Sequence, residues 1–438
     1  MGLFNFGKSK QATKSTEIQT LHFGRYTDRN KNKIQHDHWD ASVKLFGQKE
    51  YFRAIEELLY YIRDEKQNNV VITKTPDKIE FSIIQGSKTF HGKAENGIIE
   101  ASGRIALFTV APVPVMRKLL TLNYMLRYTW CGIQDNALGI YFQSPFENAS
   151  SWKIYSALRE LALNIDKQDD LLTEEFDTLE EVDTIENLAL PENIKEVKYS
   201  YLNKWINDTL SVVRQSDQQK YSGLNSYRLL ALCLRIDYLL TPQGTLMDAL
   251  EKIINMYFKR PQGNNDINTP IAKEFDKILA LPKESVMNSF YQVKSTFSLV
   301  SPSTYKQVAD FVFEESKSKD YYLNNKEPQH VSTIYEYITG YNCFYFGMTT
   351  PLIDLNHLYY RVLHSDFFSD LTHAEPLYDS AKGVLHKSQI IRNIDDIVKK
   401  HRTQFPGFVF NHSKLKWNSL TDFTISYFQE FDFLKLPS

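Results

Sequence analysis

The pattern of apolar residues changes character once along the 438-residue chain, near Pro191, and this limits the fold to two differently built parts. Before the switch, a helical run gives way to short alternating ones. Tyr51, Ile55, Leu58 and Ile62 keep the i, i+4, i+7 spacing of one buried helix face, in a pattern that begins near Asp37. Val70–Thr73 is β-branched, Ile79, Phe81 and Ile83 alternate with polar residues, and Asn96-Gly97 is a strong hairpin signal. Ile98 to Val110 predicts a further strand or bent pair. Pro112 and Pro114 open a helix, Tyr124 to Ile133 and Leu138 to Phe142 predict two more strands, and Ser150-Ser151 caps a long helix through Ile165. That order predicts an α+β domain, an antiparallel sheet with helices on one side.

After Pro191 no convincing strand run follows. Leu224 to Leu240 is apolar nearly all round, as in a helix buried between others, and Thr245 with Asp248 resembles a capping box. Prolines divide the remainder into segments, and the second half reads as an all-α domain of ten to twelve helices without a solenoid period. The expected organisation is a flexible basic arm (1–33), the α+β domain (34–165), an acidic linker or helix (166–191) and the helical domain (192–438). The arm holds seven Lys/Arg against two acids; the acidic stretch from Asp166 to Glu192 holds eleven carboxylates against Lys167 alone. Sparse contacts across this stretch, and proteolysis within it, are expected.

Composition excludes several classes. With 42% hydrophobic and 24% charged residues and a net charge of −2, no global field recruits nucleic acid or an anionic membrane. Cys131, Cys233 and Cys343 form no CxxC pair, so neither a disulfide framework nor a zinc site is predicted. No run approaches the ~18–20 apolar residues of a membrane span. The first residues lack a signal-peptide core, and Phe6 breaks the myristoylation pattern. A cytoplasmic protein is expected.

The order of elements in residues 37–170 resembles the type III secretion chaperone-like fold, more closely its YbjN-type branch. Three segments carry the likeness: Pro114–Asn123 as a helix leading into a strand pair, Ala137–Phe142 as a last strand, and Leu158–Ala162 with Ile165–Leu171 as a closing helix. The resemblance covers under a third of the chain. It implies a non-enzymatic fold that binds protein segments along a sheet or helix surface and often dimerises.

Local chemistry is sparse. Gly86–Ala94 superficially matches a phosphate loop, but five residues separate its glycines, Ala94 replaces the magnesium-binding hydroxyl, and strands lie on both sides. His36-Asp37-His38 offers no third or fourth metal ligand, and Asp37 or Asp40 serves better as a helix cap. His357 and His364 share a predicted face with Arg361, as a polar stripe. Arg228, Arg235 and Asp237 lie on the most apolar helix; the arginines either form a cationic pocket or pair with carboxylates of neighbouring helices. Tyr337, Tyr341 and Tyr345, four apart in an aromatic-rich stretch, form one stripe suited to protein recognition if partly exposed, or to core packing if not. The reading is a non-enzymatic protein-binding or chaperone-like scaffold with another protein or peptide as partner. It has no cofactor, metal, nucleic acid or membrane, and is compatible with a homodimer. Its rivals are an enzyme with a dispersed site in the helical half and an anion-sensing regulator.

Overall fold

The computed structural model describes residues 21–24, 31–65, 67–110, 113–183, 189–259, 266–292, 294–298, 300 and 302–436. Asn32 starts helix α1 (Lys33–Gly47): its side chain accepts the Gln35 N–H at 2.9 Å while the Gln35 side chain accepts the Asn32 N–H at 3.0 Å. Asp37 and Asp40, the expected caps, therefore stand inside the helix. Helix α2 (Tyr51–Ile62) buries Ile55, Leu58 and Ile62 as their spacing predicts.

Six strands follow in two groups, β1 (Val70–Lys74), β2 (Lys78–Gly86), β3 (Lys88–Glu95) and β4 (Ile98–Phe108), then β5 (Trp130–Gln134) and β6 (Ala137–Pro145). They form one antiparallel sheet in the order β1-β2-β3-β4-β6-β5. Asn96 and Gly97 take φ of 50° and 78°, the left-handed pair a two-residue hairpin requires. Ile98 to Phe108 is one bent strand, whose register against β6 slips between Arg104 and Ala106. Ile79, Phe81 and Ile83 join Leu58 of α2 and Leu161 and Ile165 of α4 (Ser151–Glu175) in one core.

The run from Tyr124 to Ile133 is not a single strand. Helix α3 (Val113–Met125) includes Tyr124, and β5 begins only at Trp130. The intervening turn folds onto a carboxylate: Glu160 accepts the N–H groups of Arg127, Tyr128 and Thr129 and the Thr129 hydroxyl at 2.8–3.0 Å. Asn123 then holds both backbone groups of Cys131, at 2.6 and 3.1 Å, so α3 satisfies part of the sheet's outer edge.

The acidic stretch, expected as a linker or a helix, is helical in its first part. Asp166–Glu175 is the last part of the unbroken helix α4, and β7 (Leu179–Glu181) pairs with Ala106–Phe108 of β4. Asp169 faces Lys88 Nζ at 3.1 Å, Lys167 reaches Glu251 at 2.6 Å, and Asp170 accepts the Tyr291 hydroxyl at 2.7 Å. Contacts across this stretch are therefore plentiful rather than sparse. Residues 184–188 lie outside the described residues.

Twelve α-helices follow among the described residues: α5 (Glu192–Gln215), α6 (Ser222–Arg235), α7 (Gly244–Phe258), α8 (Asn268–Leu279), α9 (Lys283–Asn288), α10 (Tyr305–Ser316), α11 (Lys319–Asn324), α12 (Val331–Tyr345), α13 (Thr350–Leu363), α14 (Ser365–Thr372), α15 (Lys387–His401) and α16 (Leu420–Gln429). The helical second half is as expected apart from local departures, one of them a two-residue antiparallel pair between Tyr378–Asp379 and Val384–Leu385. Leu224–Leu240 is not one α-helix, since α6 passes into a π turn at Ile236–Leu240 that ends on Thr241 at φ 48°. The α7 start is no capping box; Asp170 and Glu174 of α4 accept the N–H groups of Gly244 and Thr245 instead. Finally, β8 (Lys294–Ser295) pairs with Gly86 and Gln85 of β2, so the helical half contributes a short strand to the N-terminal sheet.

The expected basic arm is tied down at one point. Residues 21–24 pack on the helical half, where the Gly24 N–H donates to Tyr238 O at 2.9 Å and Phe23 contacts His357 and Phe368. Residues 1–20 and 25–30 lie outside the described residues.

Candidate functional site

Helix α3 is apolar on two faces but buried on one. Val115 and Leu119 enter the sheet core, yet Leu120 is 69%, Met125 71% and Tyr124 92% exposed, with Val113 beside them. These four side chains together leave on the order of 600 Å² of mostly apolar surface in water, Val113, Leu120 and Tyr124 in one stripe and Met125 about a third of a turn round. Exposed Tyr128, Trp130 and Ile133 lie on the turn and strand that follow the helix. The helix carries Arg117 and Lys118 and no carboxylate; Lys118 pairs with Glu175. The surface is thus apolar with a cationic rim. It is also firmly mounted, because Glu160 and Asn123 fix the chain where α3 meets β5.

The sheet's outer face forms a concave groove of about 670 Å³. Two cross-strand rows line it: Glu80, Lys93, Glu100 and Gln143, then Ser82, His91, Ser102, Tyr141 and Trp130. Lys93 lies 2.7 Å from Glu95 and 3.1 Å from Glu100, so its charge is matched locally. Trp130 and Tyr141 stack with centroids 6.2 Å apart, forming an aromatic wall at the β5 edge. The phosphate-loop look-alike belongs to this sheet as the β2–β3 hairpin, with Lys88 wholly buried.

The predicted tyrosine stripe exists, but burial changes along it. Tyr337 is 5% exposed and packs against Tyr227, with centroids 4.5 Å apart; this departs from the expected partial exposure. Tyr341 is half-buried and stacks on Phe311 at 4.5 Å and on Tyr345 at 5.0 Å. Burial raises the Tyr341 hydroxyl's pKa to about 12. Tyr345 is 56% exposed. Alanine at Tyr337 is accordingly expected to destabilise the protein by about 3 kcal/mol or more, and alanine at Tyr345 by less than about 0.5 kcal/mol. Denaturant unfolding of the two variants checks this ordering, and equal losses would contradict it.

Arg228 and Arg235 do not converge on one pocket. Arg228 donates to Asn225 Oδ1 at 2.9 Å and approaches His330 Nδ1 at 3.0 Å. Burial, together with the neighbouring Arg228 charge, lowers the His330 pKa, leaving a neutral ring to accept from the guanidinium. Arg235 lies 4.7 Å over the Trp205 ring and 3.1 Å from Glu336, which also meets His364 at 2.9 Å. Although burial alone would raise it, Arg235 and His364 hold the Glu336 carboxyl down to about 2. This is the pairing with a neighbouring helix that competed with a cationic pocket. His357 turns elsewhere, onto Phe23, and its pKa is depressed to about 3 by burial and then by Arg361.

His38 Nδ1 lies 2.6 Å from Glu57, and the three cysteines are free and buried. Among the described residues, no group of three or more His, Cys, Asp or Glu side chains is placed to hold a metal ion, and no helix is long and apolar enough to cross a membrane. Sequence patterning misses the α3 face because a helix apolar on both sides reads as buried, and because Tyr124 is assigned there to a strand. No family model matches the chain and no curated protein matches it, so the functional reading stands on these surfaces alone.

Proposed function

We propose that the protein is a non-enzymatic protein-binding scaffold that docks a partner on the outer face of α3. The observation that carries this reading is the exposed run of Val113, Leu120, Tyr124 and Met125 on a helix whose opposite face is already buried. Burying such a surface is worth roughly 25 cal/mol per Å², and among the described residues these side chains stay exposed. The partner is a segment with an apolar stripe and flanking carboxylates, because the rim offers Arg117 and Arg127 and the helix itself has no acid. The helical half then serves as the rigid support. The finer assignment of residues 34–165 to a secretion-chaperone-like, YbjN-type fold belongs to the same proposal, supported by the order two helices, four strands, helix, two strands, helix.

The test uses designed helical peptides with a Leu/Phe stripe flanked either by Glu or by Lys, titrated against the full chain by fluorescence anisotropy. The Glu-flanked peptide is expected to bind, and Leu120→Glu with Tyr124→Glu to weaken it at least tenfold without shifting Tm. Unchanged affinity in that variant would overturn the assignment. So would a dimer in sedimentation that the double substitution dissociates, or flotation of the protein with anionic vesicles.

A further inference from the structure

Residues 21–24 reach the helical half by a contact that reads particular residue types. The Phe23 ring lies 4.9 Å from His357 and 5.4 Å from Phe368, and those two rings are themselves 5.4 Å apart and edge-on. This makes an aromatic box. Tyr238 closes its side, with its ring 6.0 Å from His357. The depressed pKa keeps His357 neutral, so it packs on Phe23 as an aromatic surface rather than as a cation.

The next residue is read through its backbone. Gly24 is buried at φ 81°, a left-handed conformation that glycine adopts freely, and its N–H donates to Tyr238 O at 2.9 Å. Tyr238 lies in the π turn, where wider i→i+5 bonding disturbs the ordinary ladder of carbonyl acceptors. Leu21, half-buried, packs on the helical core two positions before Phe23. Apolar, any residue, Phe, Gly is therefore the sequence this groove fits.

That sequence occurs a second time. Phe4-Asn5-Phe6-Gly7-Lys8 matches Leu21-His22-Phe23-Gly24-Arg25 at each step: large apolar, polar, Phe, Gly, basic. The other two Phe-Gly pairs, Phe46-Gly47 and Phe346-Gly347, are followed by Gln48 and Met348 and so break the pattern. We propose that the groove between the π turn, α13 and α14 is a receptor for the peptide signature apolar–any–Phe–Gly, and that the segment 4–7 competes with 21–24 for it. The site is separate from the α3 face and does not rest on the reading given for it.

The test vacates the groove in the full chain with Phe6→Ala and Phe23→Ala together. A fluorescent peptide of residues 2–11 is then titrated against it, alongside the same peptide carrying Phe6→Ala. Saturable binding is expected, at least tenfold tighter than that of the Phe6→Ala peptide and at least tenfold tighter than binding to the wild-type chain, whose groove is filled. No binding by a double variant that melts cooperatively, or equal binding of both peptides, would overturn the proposal. A second measurement holds even if the double variant does not fold. A photo-crosslinking phenylalanine at position 6 of the otherwise wild-type chain should attach to the peptides bearing Tyr238, His357 or Phe368. Crosslinks only to other regions would count against exchange.

Discussion

Replacing Phe297 by alanine is expected to destabilise the folded protein by about 3–5 kcal/mol. Phe297 follows β8 and comes from the helical half of the sequence, yet its side chain is wholly buried in the core of the N-terminal sheet. Its ring meets Tyr155 of α4 edge-on at 5.6 Å. The backbone on either side is held as tightly. Gln85 Oε1 accepts the N–H groups of Thr296 and Phe297 at 3.1 and 2.9 Å, and the Thr296 hydroxyl donates to Ile84 O at 2.6 Å. Arg159 Nε donates to Ser298 O at 2.8 Å. Removing the ring therefore empties part of the sheet core and loosens the join between the halves. Guanidinium unfolding followed separately by tryptophan fluorescence and circular dichroism should show the loss, with the two transitions of the variant no longer coincident. A loss below about 1 kcal/mol would mean that the segment is not seated in that core.

That join is also where the sequence is least legible. Alternation of Ile79, Phe81 and Ile83 identifies a half-buried strand because side chains repeat every two residues across a sheet. The helices after Pro191 are legible for the matching reason, a sustained 3.6-residue period broken by prolines. A two-residue strand such as Lys294–Ser295 has no period at all, and only its distant partners Gln85 and Gly86 define it. The acidic stretch misleads in a related way. Charge density suggests a solvated linker or helix with sparse contacts, but Asp169 and Asp170 are spent on Lys88, Gly244 and Tyr291, none of which is near in sequence. Of the candidate site residues, Tyr345 lies at the surface and Tyr337 does not, although both have the same helical spacing. The difference comes from Tyr227 of α6, which covers one end of the stripe. Periodicity says which residues share a face; it does not say how far a neighbouring helix extends along that face.

Lys88→Met is the second large effect, expected to cost about 3–5 kcal/mol at neutral pH because it strips one partner from a buried ion pair. The Lys88 ammonium is fully buried, donating to Val182 O at 2.7 Å and Ile105 O at 3.2 Å while lying 3.1 Å from Asp169. Methionine fills similar volume, so packing is largely kept and the loss is electrostatic. Asp169 would retain the Ser87 hydroxyl at 2.9 Å as a donor, and its Oδ1 has no hydrogen-bond partner among the described residues even in the wild type. Burial, with the charge of Asp170 beside it, already raises the Asp169 pKa well above the ordinary carboxylate range, against the pull of Lys88. The folded protein thus binds this proton more tightly than the unfolded chain does, and the group's contribution to stability falls as pH rises through its folded pKa. Losing Lys88 raises that pKa further. The deficit of the variant should therefore shrink between pH 7.5 and pH 5, where Asp169 can take up a proton and lose its charge. Adding Asp169→Leu should recover most of the loss at pH 7.5 and abolish its pH dependence, since an apolar pair replaces the ionic one. Urea unfolding of the three proteins at both pH values measures this. A Lys88→Met deficit that is the same at pH 7.5 and pH 5, or a double variant no better than the single one, would show that the ammonium is not what neutralises the buried end of α4.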